Sequence, residues 1–172
     1  MTQVSTRDTI IRGETVTKLV RQISLSYSQL NVFNSQLENP FNNWNANYVK
    51  QGFSWRMDSL SFNTILDSGT CCLTLYINTD FKPDNYIRAI AVPFIVTENG
   101  MIELGSIDDF FQLKFLSGSY EVVFAIEKVM KGTNQVDISL FINKSMRTTA
   151  EILIQDDFLM PDLPLLLDSV AA

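Results

Sequence analysis

The 172-residue sequence contains no histidine. Histidine is the commonest general base and the commonest metal ligand in proteins. Its absence excludes Ser-His-Asp and Cys-His nucleophile sites and most zinc sites. Chemistry that needs only carboxylates, such as glycoside hydrolysis or magnesium-dependent reactions, is still compatible with this composition.

Cysteine and glycine are also scarce. The two cysteines, Cys71 and Cys72, are adjacent, and neighbours in a strand point to opposite faces of a sheet. We therefore interpret them as free thiols of a reduced compartment, and not as a redox pair or a metal site. The seven glycines are scattered and form no phosphate-binding loop. The sequence predicts no cofactor.

Long hydrophobic runs are missing as well. No apolar run approaches the roughly 18 residues that span a bilayer, and the polar segment 1–12 has no signal-peptide core. We expect a cytoplasmic protein without a membrane span. Hydrophobic residues make up 46% of the chain and charged residues 19%, which is typical of globular proteins. The length is that of a single domain, 1–172.

Negative charge is concentrated in the second half of the chain. Residues 1–91 carry seven acids and eight bases, whereas residues 92–172 carry twelve acids and five bases. An acidic surface repels nucleic acid and attracts basic partners, although a negative net charge is also typical of ordinary soluble proteins. Lys50, Arg56 and Arg88 are too isolated to form a nucleic-acid site. We therefore expect no direct binding of nucleic acid.

Alternating apolar and polar residues predict short β-strands along most of the chain. The alternation of Ile23–Phe33 slips in phase, which indicates a bulge near Ser28–Leu30. Pro93 places the strand Arg88–Val96 at a sheet edge or at a bulge. Asn99-Gly100 predicts a hairpin that returns through Met101–Leu104. The other predicted strands are Phe53–Met57, the central strand Cys71–Ile77, Phe111–Phe115, Ser119–Glu127, Val136–Ile142 and Thr148–Ile154.

These segments predict an all-β fold, an antiparallel β-sandwich. One short helix is expected near 44–51, with Asn43 or Asn45 as its N-cap and Gly52 as its end. Residues 1–20 are predicted to form an extended N-terminal arm or an extra edge strand.

The C-terminal tail, residues 155–172, differs from the rest of the chain. Acids alternate there with bulky apolar residues, and Pro161 and Pro164 prevent regular structure. The tail is either a strap that closes the sandwich or an acidic, apolar docking segment.

The candidates for chemistry are few. Asp108-Asp109 and Asp156-Asp157 are the only adjacent acid pairs in the sequence. Catalysis by two carboxylates needs acids roughly 5 to 10 Å apart around a cleft, and sequence neighbours in a strand diverge, so solvated turns explain these pairs more simply. Trp44 lies in a polar, asparagine-rich loop, where it either caps the sandwich or anchors a partner.

Two stretches resemble the competence protein J family. Leu25–Phe33, followed by a loop with Trp44 and by Gln51-Gly-Phe53, is similar to the start of that family. Val92–Gly100, followed by Met101-Ile-Glu103, is similar to its central strand and hairpin. The similarity extends over roughly residues 23 to 154 and leaves out the N-terminal arm and the tail. The resemblance implies a β-sandwich and a bacterial inhibitor of the competence DNA-entry nuclease.

The leading hypothesis is therefore a non-enzymatic inhibitor or immunity-type protein that covers the basic cleft of a nuclease or toxin. Complementary charge would speed association, and apolar neighbours would slow dissociation. Candidate contact residues are Glu98, Glu103, Asp108, Asp109, Asp156, Asp157, Asp162 and Trp44. The alternatives are a β-sandwich interaction or assembly module, and a carboxylate enzyme or carbohydrate binder. The sequence predicts no oligomeric state.

Overall fold

The structure, a computed structural model, describes residues 9–10 and 17–172, which form two six-stranded β-sheets. In spatial order, the first sheet contains β1 (Thr9–Ile10), β9 (Phe110–Lys114), β8 (Met101–Gly105), β3 (Gln29–Asn34), β5 (Ser59–Asn63) and β4 (Phe53–Arg56). The second contains β12 (Glu151–Ile154), β7 (Arg88–Val96), β10 (Gly118–Met130), β11 (Gln135–Lys144), β6 (Gly69–Ile77) and β2 (Thr17–Leu25). Helix α1 (Ala46–Gln51) precedes β4, and a 3-10 turn (Lys131–Thr133) joins β10 to β11.

The two sheets pack face to face around a shared apolar core. Alternate residues of β6 are buried, as expected for a strand with one face against the core. Across the core, Phe62 of the first sheet stacks on Phe124 of the second, with ring centroids 4.6 Å apart. The predicted all-β sandwich is therefore confirmed, and most predicted strands in it lie within about three residues of their observed bounds.

Both sheets are mixed, whereas the sequence predicted an antiparallel sandwich. β11 lies parallel to β6, with Val136 opposite Cys71, and β1 lies parallel to β9. Alternation along a strand indicates which side chains face the core. Alternation does not indicate which strand is the neighbour or in which direction that strand runs. Parallel and antiparallel pairs could therefore not be distinguished from the sequence.

The predicted bulge near Ser28–Leu30 is wrong, because the phase slip marks a turn between the two sheets. β2 ends at Leu25 in the second sheet, and β3 begins at Gln29 in the first. Tyr27 and Ser28 both have positive φ, 57° and 55°, and the Gln29 amide donates to the carbonyl of Ser26 at 3.3 Å. The core lies between the two sheets, so it is on opposite sides of the chain before and after the crossing. The apolar residues therefore change from odd to even positions at this turn.

The predicted Asn99-Gly100 hairpin is also wrong, although the turn itself is present. Gly100 has a φ of 71° and donates its amide to the carbonyl of Thr97 at 2.9 Å. However, β7 and β8 belong to different sheets, so this turn crosses one end of the sandwich. Asn34 fixes the crossing, since it accepts from the Thr97 amide at 2.9 Å and donates to the Ile95 carbonyl at 2.7 Å.

Pro93 lies where β7 has a strand on one side only. By sheet order β7 is an interior strand, but β12 pairs with it only over Ala89–Ala91. At Pro93 the strand pairs with β10 alone, so the expected edge position is confirmed locally. On the open side, the Pro93 carbonyl accepts a hydrogen bond from Trp55 Nε1 at 2.7 Å.

The predicted helix is confirmed with its caps. The Asn45 side chain accepts from the Tyr48 amide at 2.9 Å, and Gly52 ends the helix with a φ of 82°. No helix in the part of the chain that the structure describes is long and apolar enough to cross a membrane. β5 is a strand that the sequence analysis did not predict. Of the predicted arm, residues 1–20, the edge strand β1 and the start of β2 are described, and the rest lies outside the described residues.

Residues 155–172, called the strap from here on, lie along α1 and β4. Leu159 is buried in the core. The Met160 amide donates to the Lys50 carbonyl at 3.0 Å, and the Ser169 amide donates to the Trp55 carbonyl at 3.1 Å. The strap thus covers the outer edge of β4, as the first of the two sequence interpretations expected.

Candidate functional site

One end of the sandwich combines exposed aromatic, apolar and acidic side chains. At its centre Tyr27 projects from the β2–β3 turn and is 72% exposed. Beside it lies a recess of about 230 Å³, lined by Tyr27, Ser28, Gln29, Trp44, Val49 and Asn63. We call this surface the Tyr27 end and define it by Tyr27, Trp44, Val49, Asp67, Asp108 and Asp109.

The backbone that presents Tyr27 is strained and firmly held. Positive φ at a residue other than glycine costs on the order of 1–3 kcal/mol, and here it occurs at two successive residues. The Ser28 amide and hydroxyl donate to the carbonyl and carboxylate of Asp67 at 2.9 and 3.0 Å, and the Thr64 amide donates to the Ser28 carbonyl at 2.9 Å. The turn therefore holds the backbone of an exposed aromatic residue at a fixed position, which favours a binding role.

Trp44 and Val49 form the second wall of the recess. The loop before α1 carries Trp44, whose indole Nε1 donates to Ser61 Oγ at 3.2 Å. The indole is half-buried and still lines the recess, so it both covers the sheet and remains accessible. Val49 is on the exposed side of α1, and the two side chains together offer an apolar contact next to Tyr27.

Carboxylates from two loops surround this apolar centre. Asp67 follows β5, and Asp108 and Asp109 lie in the β8–β9 turn. The Ser24 amide donates to Asp109 Oδ2 at 2.7 Å, which fixes the β8–β9 turn against the end of β2. Lys131 in the 3-10 turn is at the same end of the sandwich. Asp67, Asp108 and Asp109 thus supply three carboxylates at this end, with Lys131 as a nearby cation.

The other predicted acids do not join this surface. Glu98 lies in the β7–β8 turn at the opposite end of the sandwich, because β8 runs between that turn and Asp108. Glu103 lies on the outer face of the first sheet and accepts from Gln112 Nε2 at 3.0 Å. Asp156 is paired inside the protein with Arg88.

Asp157 and Asp162 are exposed on the strap. Asp162 lies 3.2 Å from Lys50 Nζ. Of the eight predicted contact residues, Trp44, Asp108 and Asp109 therefore belong to the Tyr27 end, and the other five lie outside the six residues that define it.

Sequence reasoning missed three members of the Tyr27 end. Tyr27 was interpreted as part of an alternating strand, Asp67 lies in a loop without a motif, and Val49 has the appearance of an ordinary helix residue. The phase slip after Gln29 was the available signal for Tyr27, because it marks the turn that exposes this residue. Among the described residues, no group of three or more Cys, Asp or Glu side chains could hold a metal ion.

The fold is a β-sandwich, and one end of it exposes aromatic and acidic side chains together. Residues 22–144 match the model of the family Competence protein J (ComJ). Because this match covers well over half of the chain, the protein belongs to that family, which confirms the resemblance found in its sequence.

Two relatives support the assignment. The chain is similar to a curated DNA-entry nuclease inhibitor of Bacillus subtilis (strain 168), with 28% identity over 82 residues that cover 47% of this chain and 61% of that protein. The match thus spans about three fifths of the relative's length. The chain is also similar to the crystal structure of ComJ, inhibitor of the DNA degrading activity of NucA, from Bacillus subtilis. The TM-score is 0.66 at 19% identity, over 76% of this chain and 99% of that chain, which shows the shared fold.

Proposed function

We propose that this protein is a non-enzymatic inhibitor that binds a DNA-degrading nuclease of the DNA-entry type and blocks its action on DNA. The observation that carries the proposal is that all six residues of the Tyr27 end lie within residues 22–144, the stretch that matches the competence protein J family. Both relatives described above are inhibitors of this kind by name.

The chemistry of the Tyr27 end suits the cleft of a nuclease. A nuclease attracts polyphosphate through positive potential, and Asp67, Asp108 and Asp109 present negative charge to the same field. Charge complementarity of this kind mainly accelerates association. Tyr27 is then the anchor that enters the cleft, while the recess between Trp44 and Val49 receives a side chain of the nuclease. Occupation of the cleft excludes DNA without any catalysis by the inhibitor.

We also propose that the protein acts in the cytoplasm. Cys71 and Cys72 are both free thiols, which agrees with a reducing compartment.

The test compares two charge reversals of equal size at opposite ends of the molecule. Asp108→Lys changes the Tyr27 end, and Glu98→Lys is the matched control at the other end. We expect Asp108→Lys to lower the association rate with a DNA-entry nuclease about tenfold at low salt, and Glu98→Lys to change it less than about twofold. Association rates and inhibition of DNA degradation are measured at several salt concentrations. Equal effects of the two variants, or no inhibition by the unmodified protein, would contradict the proposal.

A further inference from the structure

The strap meets α1 one residue away from Val49 of the Tyr27 end. Val49 lines the Tyr27 recess, and the next residue, Lys50, pairs with Asp162 of the strap at 3.2 Å. A second recess, of about 170 Å³, lies between the helix and the strap. It is lined by Asn47, Gln51, Asp162, Leu163, Pro164 and Leu166. The strap therefore contacts α1 at Lys50, the residue next to Val49 of the Tyr27 end.

The strap exposes more apolar surface than its covering role requires. Phe158, Met160 and Leu163 are 68%, 70% and 81% exposed, although Leu159 between them is buried. Single exposed apolar residues are normal, whereas a cluster marks an interaction site. Met160 and Leu163 also line a groove of about 760 Å³ between the strap and β12.

These apolar side chains are held in place by an ordered backbone. The buried Gln51 side chain donates to the Leu166 carbonyl at 3.0 Å and accepts from the Leu166 amide at 2.8 Å. Tyr48 donates its hydroxyl to Asp168 at 2.9 Å. Because the strap is fixed before any partner arrives, binding there costs little conformational entropy.

The charge of the strap matches that of the Tyr27 end. Asp157 and Asp162 flank Met160 on an exposed stretch, and Lys50 is the cation that faces Asp162. A partner that suits the Tyr27 end, with apolar side chains ringed by lysine or arginine, suits this surface too.

We propose that the outer side of the strap, formed by Met160, Asp162 and Leu163, is a second part of the nuclease-contact face and makes the inhibitor selective for its own nuclease. This inference rests on the proposed function. Its occupant is the same nuclease, through an apolar patch with a basic rim beside the cleft. Selectivity follows because the strap lies outside residues 22–144, the part of the chain that matches the family model, so this contact is additional to the family surface.

The test uses the double variant Met160→Ser/Leu163→Ser in the full-length chain. The control is Met146→Ser, since Met146 is 88% exposed and follows β11 at the opposite end of the sandwich. The Kd of each protein is measured for the DNA-entry nuclease of its own host and for NucA of Bacillus subtilis. We expect the double variant to raise the Kd for the host nuclease about tenfold or more, to change the Kd for NucA less than about threefold, and the control to change neither.

The possible results distinguish a failure of this inference from a failure of the proposed function. If the unmodified protein inhibits and the double variant inhibits its host nuclease equally well, the inference is wrong and the proposed function stands. An equal loss against both nucleases overturns selectivity. A dimer of the unmodified protein that the double variant abolishes shows that the patch binds a second copy, which also overturns the inference. Absence of inhibition by the unmodified protein overturns the proposed function itself. Thermal unfolding confirms that each variant is folded, and no change is expected at such exposed positions.

Discussion

Arg88 and Asp156 form a bidentate ion pair between the sandwich and the strap. Arg88 Nε lies 2.6 Å from Asp156 Oδ2, and Arg88 Nη2 lies 3.0 Å from Oδ1. The Arg88 side chain is only 2% exposed. Arg88 belongs to the family-matched stretch and Asp156 lies beyond it. The sandwich of this protein thus contains a buried positive charge that its strap neutralises.

Removal of this carboxylate should release the strap. We expect Asp156→Ala to lower the free energy of unfolding by about 3–5 kcal/mol, because it leaves the guanidinium buried without its counter-charge. The adjacent exposed acid provides the control, and Asp157→Ala should change stability by less than about 0.5 kcal/mol. Urea unfolding measures both, and proteolysis should cleave the tail of Asp156→Ala first. Equal stability of the two variants would show that the ion pair between Arg88 and Asp156 does not stabilise the strap.

The same pair predicts a loss of stability in acid. Burial by itself raises the pKa of the Asp156 carboxyl, but the hydrogen bonds and charge of Arg88, with the amides of Phe158 and Leu159, lower the pKa below its ordinary value. The unfolded chain then binds more protons than the folded one at and below the ordinary carboxyl pKa of about 3.9. The contribution is complete above that pH and is lost as the pH falls through the folded-state pKa. Unfolding measured from pH 7 to 3 should be less pH-dependent in Asp156→Asn, and a slope identical to that of the unmodified protein would refute this assignment.

We expect Tyr27 to lower the stability of the protein and to strengthen its binding to the nuclease. Asparagine tolerates positive φ, and the Tyr27 side chain is largely exposed, so Tyr27→Asn should raise the free energy of unfolding by about 1 kcal/mol. It should also weaken inhibition about tenfold or more, because the anchor is lost. Met146→Asn, which changes a large exposed side chain at the opposite end of the sandwich, is the control and should retain inhibition. A Tyr27→Asn protein that inhibits normally would leave the strained turn without the role proposed for it.

The two thiols should differ in reactivity. Burial, with smaller contributions from Cys72 and Asp137, raises the pKa of the Cys71 thiol, so Cys71 offers almost no thiolate to a reagent at neutral pH. Cys72 is half-buried. We expect a thiol reagent to modify the native protein only at Cys72, and Cys72→Ser to abolish the reaction until the protein is unfolded. Rapid modification of Cys71 in the native state would contradict the buried position of that strand.

The elements that sequence predicted well are those fixed by local chemistry. The apolar alternation of β6 follows from burial of one face. The helix begins at Asn45 and ends at Gly52 because these residues meet the capping requirements of any helix. Asn99-Gly100 specified a turn for the same local reason. None of these patterns indicates which strand is the neighbour. The hairpin and the bulge were wrong for this reason, and the two parallel strand pairs were not predicted.

The candidate site shows the same division. Charge counting identified Asp108 and Asp109, and an aromatic residue in a polar loop identified Trp44. Charge counting also selected Asp156, because an acid in an internal ion pair and an acid in solvent cannot be told apart in a sequence. Tyr27 and Asp67 were not predicted, because their common position depends on a turn between sheets that brings distant loops to one end.

By itself, the amino-acid sequence determined the all-β class, the caps of the one helix, the absence of histidine chemistry and the negative charge, since each depends on composition or on neighbours within a few residues. Only the tertiary structure decided which carboxylates face the solvent together, that Asp156 neutralises Arg88, and that the strap both covers β4 and exposes Met160 and Leu163. The physical reason is that charge and apolar area act through distance and burial, and both are set by contacts between residues that lie far apart along the chain.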